Sequence, residues 1–273
     1  MHEEVASRML ERLDFFRELP DRWLHWEPLH GGLQAHQRLT ERLPGASGLV
    51  WARNTDAVLS RLGGPGPRSW IPWRRRDRPG VAVARDDDRV GLLWANMLLH
   101  REPRPLELLR RWAAHVRSGG FLMFSCLGPD SLQELRDLYR LRGWGEPAHR
   151  FVDMHDWGDL LVQAGFAEPV VDMEKIVLTY SSAQALLDEL RLLGRNFSRD
   201  RFGGLRGRGW RRQLIEGIEE VLPRTPQGRL QLSFEVIYGH AFKGEPRLKA
   251  APQQSVPVEV MRDLLRAGRR TAG

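Results

Sequence analysis

The stretch from Val90 to Ser125 constrains the fold more than any other. Val90 to Asn96 is a continuous apolar run of strand length. Leu106, Leu109, Trp112, Ala113 and Val116 follow at helical spacing, and Ser118-Gly119-Gly120 then turns into the apolar run Phe121 to Ser125. Strand, helix, glycine turn and buried strand make a βαβ unit. A right-handed crossover lays its two strands parallel in a twisted sheet and leaves ligand space beyond their carboxyl ends. Trp94, Asn96 and His100 lie at one such end, and Ser125, Leu127 and Gly128 at the other. Core packing accounts for Trp94 and Leu127 equally well. Polar groups such as Asn96 and His100 at a strand end need partners, which makes them the better candidates.

The flanking sequence supplies further elements. Val5, Met9, Leu13 and Phe16 predict a helix over residues 3–19 that Pro20 stops. Arg22 to Trp26, Leu49 to Trp51 and Val81 to Val83 are short strand candidates, with helices over 32–43 and 55–62. Residues 63–80, rich in Gly, Pro, Arg and Trp, have no period and form an irregular insertion. A helix from Asp130 to Leu141 opens on Ser131 and Glu134 at capping-box spacing. Asp153-x-His155-Asp156 has the look of a metal site, but Asp153 as an N-cap with Asp156 in the first turn explains it more simply. No metal is expected. Val170-Val171 and Lys175 to Tyr180 read as strands, Ser182 to Leu193 as a helix and Leu230 to Ala241 as a final strand.

Composition narrows the class. At 273 residues, with 41% hydrophobic and 28% charged, the chain can bury a sizeable core, which excludes disorder. Its longest uncharged apolar run falls well short of the roughly 20 residues of a membrane helix. With an acidic, amphipathic start and one cysteine, Cys126, the expectation is a soluble cytoplasmic protein without a disulfide framework. The net charge is +7, and 39 of the 42 basic residues are arginine. Such charge suits solvated surface or an acidic protein partner better than nucleic acid.

The order of motifs carries a resemblance. Val90-Gly-Leu-Leu-Trp-Ala-Asn-Met-Leu-Leu-His100, then Ser118-Gly-Gly-Phe-Leu-Met-Phe-Ser-Cys-Leu-Gly-Pro-Asp130, resemble the class I S-adenosylmethionine-dependent methyltransferases. More narrowly, the chain is similar to the malonyl-acyl-carrier-protein O-methyltransferase family of biotin synthesis. The similarity continues through Leu132 to Arg136, Phe151 to Asp156, Leu178-Thr-Tyr180 and Glu235 to Ala241. The resemblance implies an α/β fold: a Rossmann-like seven-stranded class I methyltransferase sheet with flanking helices. It implies one domain over residues 1–245, helical cover near the substrate over 182–228, and a loose basic tail over 246–273. S-adenosylmethionine would be the cofactor and acyl carrier protein a partner. The candidate site residues are then Gly31, Ala52, Asp86 and Trp94 on the cofactor and Asn96 and His100 at the reacting groups. Ser125, Leu127, Gly128 and Tyr180 fall to the substrate.

The first loop departs from the family. Where the family reads roughly Val-Leu-Asp-x-Gly-x-Gly-x-Gly, this chain has Trp23-Leu24-His25-Trp26-Glu27-Pro28-Leu29-His30-Gly31. Glu27 and Leu29 stand at glycine positions and should fill part of the cofactor's space. Ala52 replaces the acid after the second strand, and Gly91 replaces another Asp. Each lost contact is worth ~1–3 kcal/mol. Beside a working methyltransferase, two further readings therefore stand: a methyltransferase-fold binding or scaffold module that has lost its cofactor, and, ranked last, an RNA-binding protein.

Overall fold

The computed structural model describes residues 1–63, 81–196, 198 and 200–244. Among them, seven strands form one sheet: β1 (Arg22–Trp26), β2 (Ser47–Trp51), β3 (Ala82–Val83), β4 (Val90–Ala95), β5 (Val116–Leu127), β6 (Phe166–Tyr180) and β7 (Leu230–Lys243). Their order is β3-β2-β1-β4-β5-β7-β6, with β7 antiparallel to β5 and β6 and every other pairing parallel. The helices are α1 (His2–Glu11), α2 (Pro28–Gly31), α3 (Leu33–Arg42), α4 (Thr55–Leu62), α5 (Pro105–His115), α6 (Gln133–Arg142), α7 (Met154–Gln163), α8 (Ala183–Leu193) and α9 (Arg208–Val221). The Val90–Ser125 unit is a parallel crossover as expected, and β1 pairs with β4 so that Trp23 faces Leu92.

Alternation along the strands divides the core between two faces. Trp23, Leu92, Trp94, Phe121 and Met123 pack with residues of α1, α3, α6, α8 and α9. Their neighbours Leu24, Leu93, Ala95, Leu122 and Phe124 pack with Trp112 of α5 and Trp157 of α7. The central strands are buried on both faces, which is why they read as unbroken apolar runs. No described helix is long and apolar enough to cross a membrane.

Several boundaries differ from the sequence reading. The first helix ends at Glu11 and tightens into a 3-10 turn over Arg12–Phe15, because Phe16 turns extended and stacks on Phe121 with ring centroids 4.0 Å apart. Ser118-Gly119-Gly120 is no turn but lies inside β5, where the register against β4 shifts. Gly120 is needed there, since a Cβ would sit 2.8 Å from the Gly91 carbonyl oxygen. The two strands expected after Val170 are one, bent by a bulge between Ala167 and Val170. The proposed capping box does not form. Leu132, in the left-handed conformation, precedes α6, while Ser131 bonds the backbone of Glu235 and Glu134 bonds Ser233. Asp153 does cap α7, accepting the His155 N–H at 2.9 Å. Helix α9 had no periodic signature of its own in the sequence reading. The expected insertion after Gly63 and the expected basic tail lie outside the described residues.

Candidate functional site

The carboxyl ends of β1, β2 and β4 open onto a crevice of about 910 Å³. Its floor comes from β1 and β2, where Trp26 and Trp51 stack with centroids 4.0 Å apart and planes 13° from parallel. The Arg111 guanidinium lies over Trp51 at 4.4 Å. Glu27 follows β1 with φ 52°, a left-handed backbone that an L side chain adopts at a cost of about 1–2 kcal/mol. The backbone shape a glycine would give is therefore kept, with a side chain added. That side chain is buried, and its carboxylate accepts the Arg53 N–H at 3.1 Å with the Arg53 Nε at 3.6 Å. A carboxylate thus stands at the end of β2 although position 52 is alanine. Leu29, half-buried on α2, does not line the crevice.

A second, apolar cavity of about 250 Å³ lies beside the first, walled by Leu127, Leu132, Leu135, Leu187, Leu190 and Phe234 among others. Both cavities are lined by His100, Arg101 and His149. The Nδ1 of His100 accepts the Leu127 N–H at 3.3 Å, and its carbonyl oxygen accepts a bond from His149 Nε2 at 2.6 Å. Burial holds the His100 imidazole well below its ordinary pKa, so the ring is neutral at pH 7, with Nε2 as its donor.

The expected site residues divide three ways. His100 and Leu127 line the cavities. Asn96 and Ser125 are buried just behind them, each already engaged. The Asn96 Nδ2 donates to the carbonyls of His2, at 2.9 Å, and Gly31. The Ser125 hydroxyl donates to Asn96 Oδ1 at 2.6 Å and accepts the Met97 N–H at 3.0 Å. Gly31 and Gly128 do not line either cavity; at Gly128 a Cβ would meet Glu235 Oε2 at 2.5 Å. Trp94, Ala52, Asp86 and Tyr180 do not line either cavity. Trp94 and Tyr180 are core residues, and the Asp86 side chain is 95% exposed in a turn, 3.8 Å from Arg111. The sequence reading passed over Trp26, Trp51, Arg53, Arg101 and His149. The two tryptophans were detectable as aromatic residues at strand ends, whereas Arg101 lies in the 3-10 turn Leu99–Arg101 and His149 reaches the site from a loop with no motif of its own.

No family model matches the chain. Individual relatives do. The chain is 35% identical over 264 residues to the malonyl-acyl-carrier-protein O-methyltransferase of Gallionella capsiferriformans, covering 91% of this chain and 86% of that protein. It is 36% identical over 268 residues to the protein of the same name from Nitrosospira multiformis, covering 90% and 84%. Among solved structures, the YcgJ protein of Bacillus subtilis superposes with a TM-score of 0.55 at 13% identity, covering 90% of this chain and all of that one (100%). A candidate methyltransferase of Bacillus halodurans C-125 gives 0.53 at 14%, covering 89% and 100%. These two likenesses show the fold, which is the class I methyltransferase sheet.

The residues of the crevice fit the cofactor that such a fold implies. The cleft has room for a nucleoside, stacked indoles offer a flat apolar face to a purine, and the Glu27 carboxylate is an acceptor for hydroxyl groups. Of the two bulky replacements in the first loop, Glu27 enters the crevice and brings a useful group with it.

Proposed function

The chain belongs to the malonyl-acyl-carrier-protein O-methyltransferase family, and from that premise we propose that it methylates the free carboxylate of malonyl carried on acyl carrier protein, with S-adenosylmethionine as donor, in biotin synthesis. The observation that carries this reading is the shared wall: a nucleoside-sized crevice and a narrow apolar cavity meet at His100, Arg101 and His149. One side suits the donor and the other an acyl thioester on a flexible arm.

Trp26, Trp51, Glu27 and Arg53 would hold the donor. When bound, the donor supplies an electrophilic methyl group on a positively charged sulfur. The acceptor carboxylate is ionised at neutral pH and needs no general base. The chain's work is therefore positioning and exclusion of water. Leucine side chains and Phe234 give the second cavity an apolar wall, and neutral His100 adds no like charge beside a cationic donor. We read α8, which contributes Leu187, Leu190 and Arg191 to the cavity, as part of the helical cover over the substrate.

Acyl carrier protein is the proposed partner, in the cytoplasm. An arginine-rich surface suits an acidic carrier, because opposite charge steers encounter. The test is incubation with S-adenosylmethionine and either malonyl- or acetyl-loaded carrier, read by mass spectrometry. A single methyl ester on the malonyl carrier and none on the acetyl carrier is expected. A folded protein that methylates neither would overturn the reading.

A further inference from the structure

Four arginines line the crevice: Arg53, Arg101, Arg104 and Arg111. Three have carboxylate partners, with Arg53 at 3.6 Å from Glu27, Arg104 at 3.1 Å from Glu107 and Arg111 at 3.8 Å from Asp86. Arg101 forms no ion pair among the described residues, and it alone of the four also lines the apolar cavity. That cavity's described lining holds three arginines, Arg101, Arg191 and Arg195, and no aspartate or glutamate. Arg101 is half-buried and has no counter-ion among the described residues; the acids nearby, Glu27, Glu102 and Glu107, line the crevice and not the apolar cavity, so on that side its charge is left for a ligand to neutralise.

We propose that Arg101 is the residue that binds the substrate's free carboxylate where the two cavities join, and so selects carboxylate-ended acyl thioesters over neutral ones. The inference rests on the methyl-transfer reading for the identity of the acyl group, while its physical basis is an arginine that lines both cavities and forms no ion pair among the described residues. Guanidinium matches carboxylate with two parallel N–H bonds, which fixes the acceptor oxygens in orientation as well as place. Methylation removes the anionic charge, so the product ester loses the attraction that held the substrate. Arg191 and Arg195 do not line the donor crevice and so are not placed to present a carboxylate to it.

The test is equilibrium binding of malonyl-pantetheine and of its neutral methyl ester to the full chain, by calorimetry. The wild type is expected to favour the free carboxylate by about tenfold or more. Arg101→Gln should lose that preference while leaving the melting temperature unchanged. Arg101→Lys should keep part of it, and Arg195→Gln should keep it in full. A wild type that binds both probes equally overturns the inference, as does an Arg101→Gln protein that still discriminates. Discrimination lost in Arg195→Gln but kept in Arg101→Lys would move the role to the cavity mouth and equally overturn it. The outcomes separate cleanly from those for the activity: a wild type that discriminates through Arg101 yet methylates no malonyl carrier would sink the methyl-transfer reading alone.

Discussion

The carboxylate of Glu27, at the end of β1, accepts the backbone N–H of Arg53 beyond β2 at 3.1 Å, bridging two strand ends across the crevice floor. A position that glycine holds in the family therefore carries an acid here, turned toward the strand whose own acid has become Ala52. The Glu27 carboxylate thus stands beside the end of β2, where the resemblance would expect an acid at position 52. Glu27→Gln keeps the shape and removes the charge. It is expected to weaken S-adenosylhomocysteine binding by about tenfold, near 1.4 kcal/mol, with little change in melting temperature. Calorimetry on the two proteins checks it.

Asn96 holds the first loop to the sheet. Its amide bonds the Gly31 and His2 carbonyls, and its oxygen takes the Ser125 hydroxyl, which in turn accepts the N–H of Met97 in a left-handed conformation. Asn96→Ala leaves several of these buried groups unpaired and should cost about 2–3 kcal/mol in urea unfolding. Ser125→Ala should cost less, since Asn96 keeps its two carbonyl partners.

Gly128 follows Leu127 at the end of β5, where a Cβ would lie 2.5 Å from Glu235 Oε2. Glu235 is buried and accepts the Asp130 N–H at 2.7 Å, so it has little room to give. Gly128→Ala is expected to lower stability by about 2–3 kcal/mol. Gly158→Ala, in α7 with open space at the same position, should be neutral or slightly stabilising. Thermal unfolding of both variants distinguishes packing at Gly128 from a general effect of added methyl groups.

Acid should destabilise the protein before its carboxylates titrate. Burial lowers His36 from 6.5 to about 4 and pushes His25 well down in the same direction, the rings stacking 5.6 Å apart. The unfolded chain then binds these protons first. The His36 contribution is complete above pH 6.5, falls as pH drops toward 4, and levels off below, and His25 acts in the same direction. The His36 shift alone is worth about 2 kcal/mol by pH 5. Urea midpoints measured from pH 7.5 to 5 should fall, and His36→Gln should flatten the slope; an unchanged midpoint would contradict the assignment.

Much of this was legible in the chain because the central strands are buried on both faces, so Val90 to Ala95 and Phe121 to Cys126 announce themselves without reference to partners. Boundaries failed where tertiary contacts overrode local signals. Ser131 and Glu134 have capping-box spacing, yet both are drawn to β7. Gly119-Gly120 reads as a turn but serves a close strand approach. At the site, position along strands β4 and β5 found His100 and Leu127, whereas the direction of a side chain decided the rest. Trp94 faces the core, while Trp26 and Trp51 reach the crevice. That Glu27 would deliver a carboxylate to the next strand, rather than simply obstruct, depends on its left-handed backbone, which the sequence does not reveal.

The most direct measurement is a titration of S-adenosylhomocysteine into the intact protein. Saturable one-to-one binding, weakened in Trp51→Ala and in Glu27→Gln, is what an acid-floored crevice between β1 and β2 predicts. No heat of binding at millimolar ligand, from a protein that unfolds cooperatively, would contradict it and leave the fold as a binding module without a methyl donor.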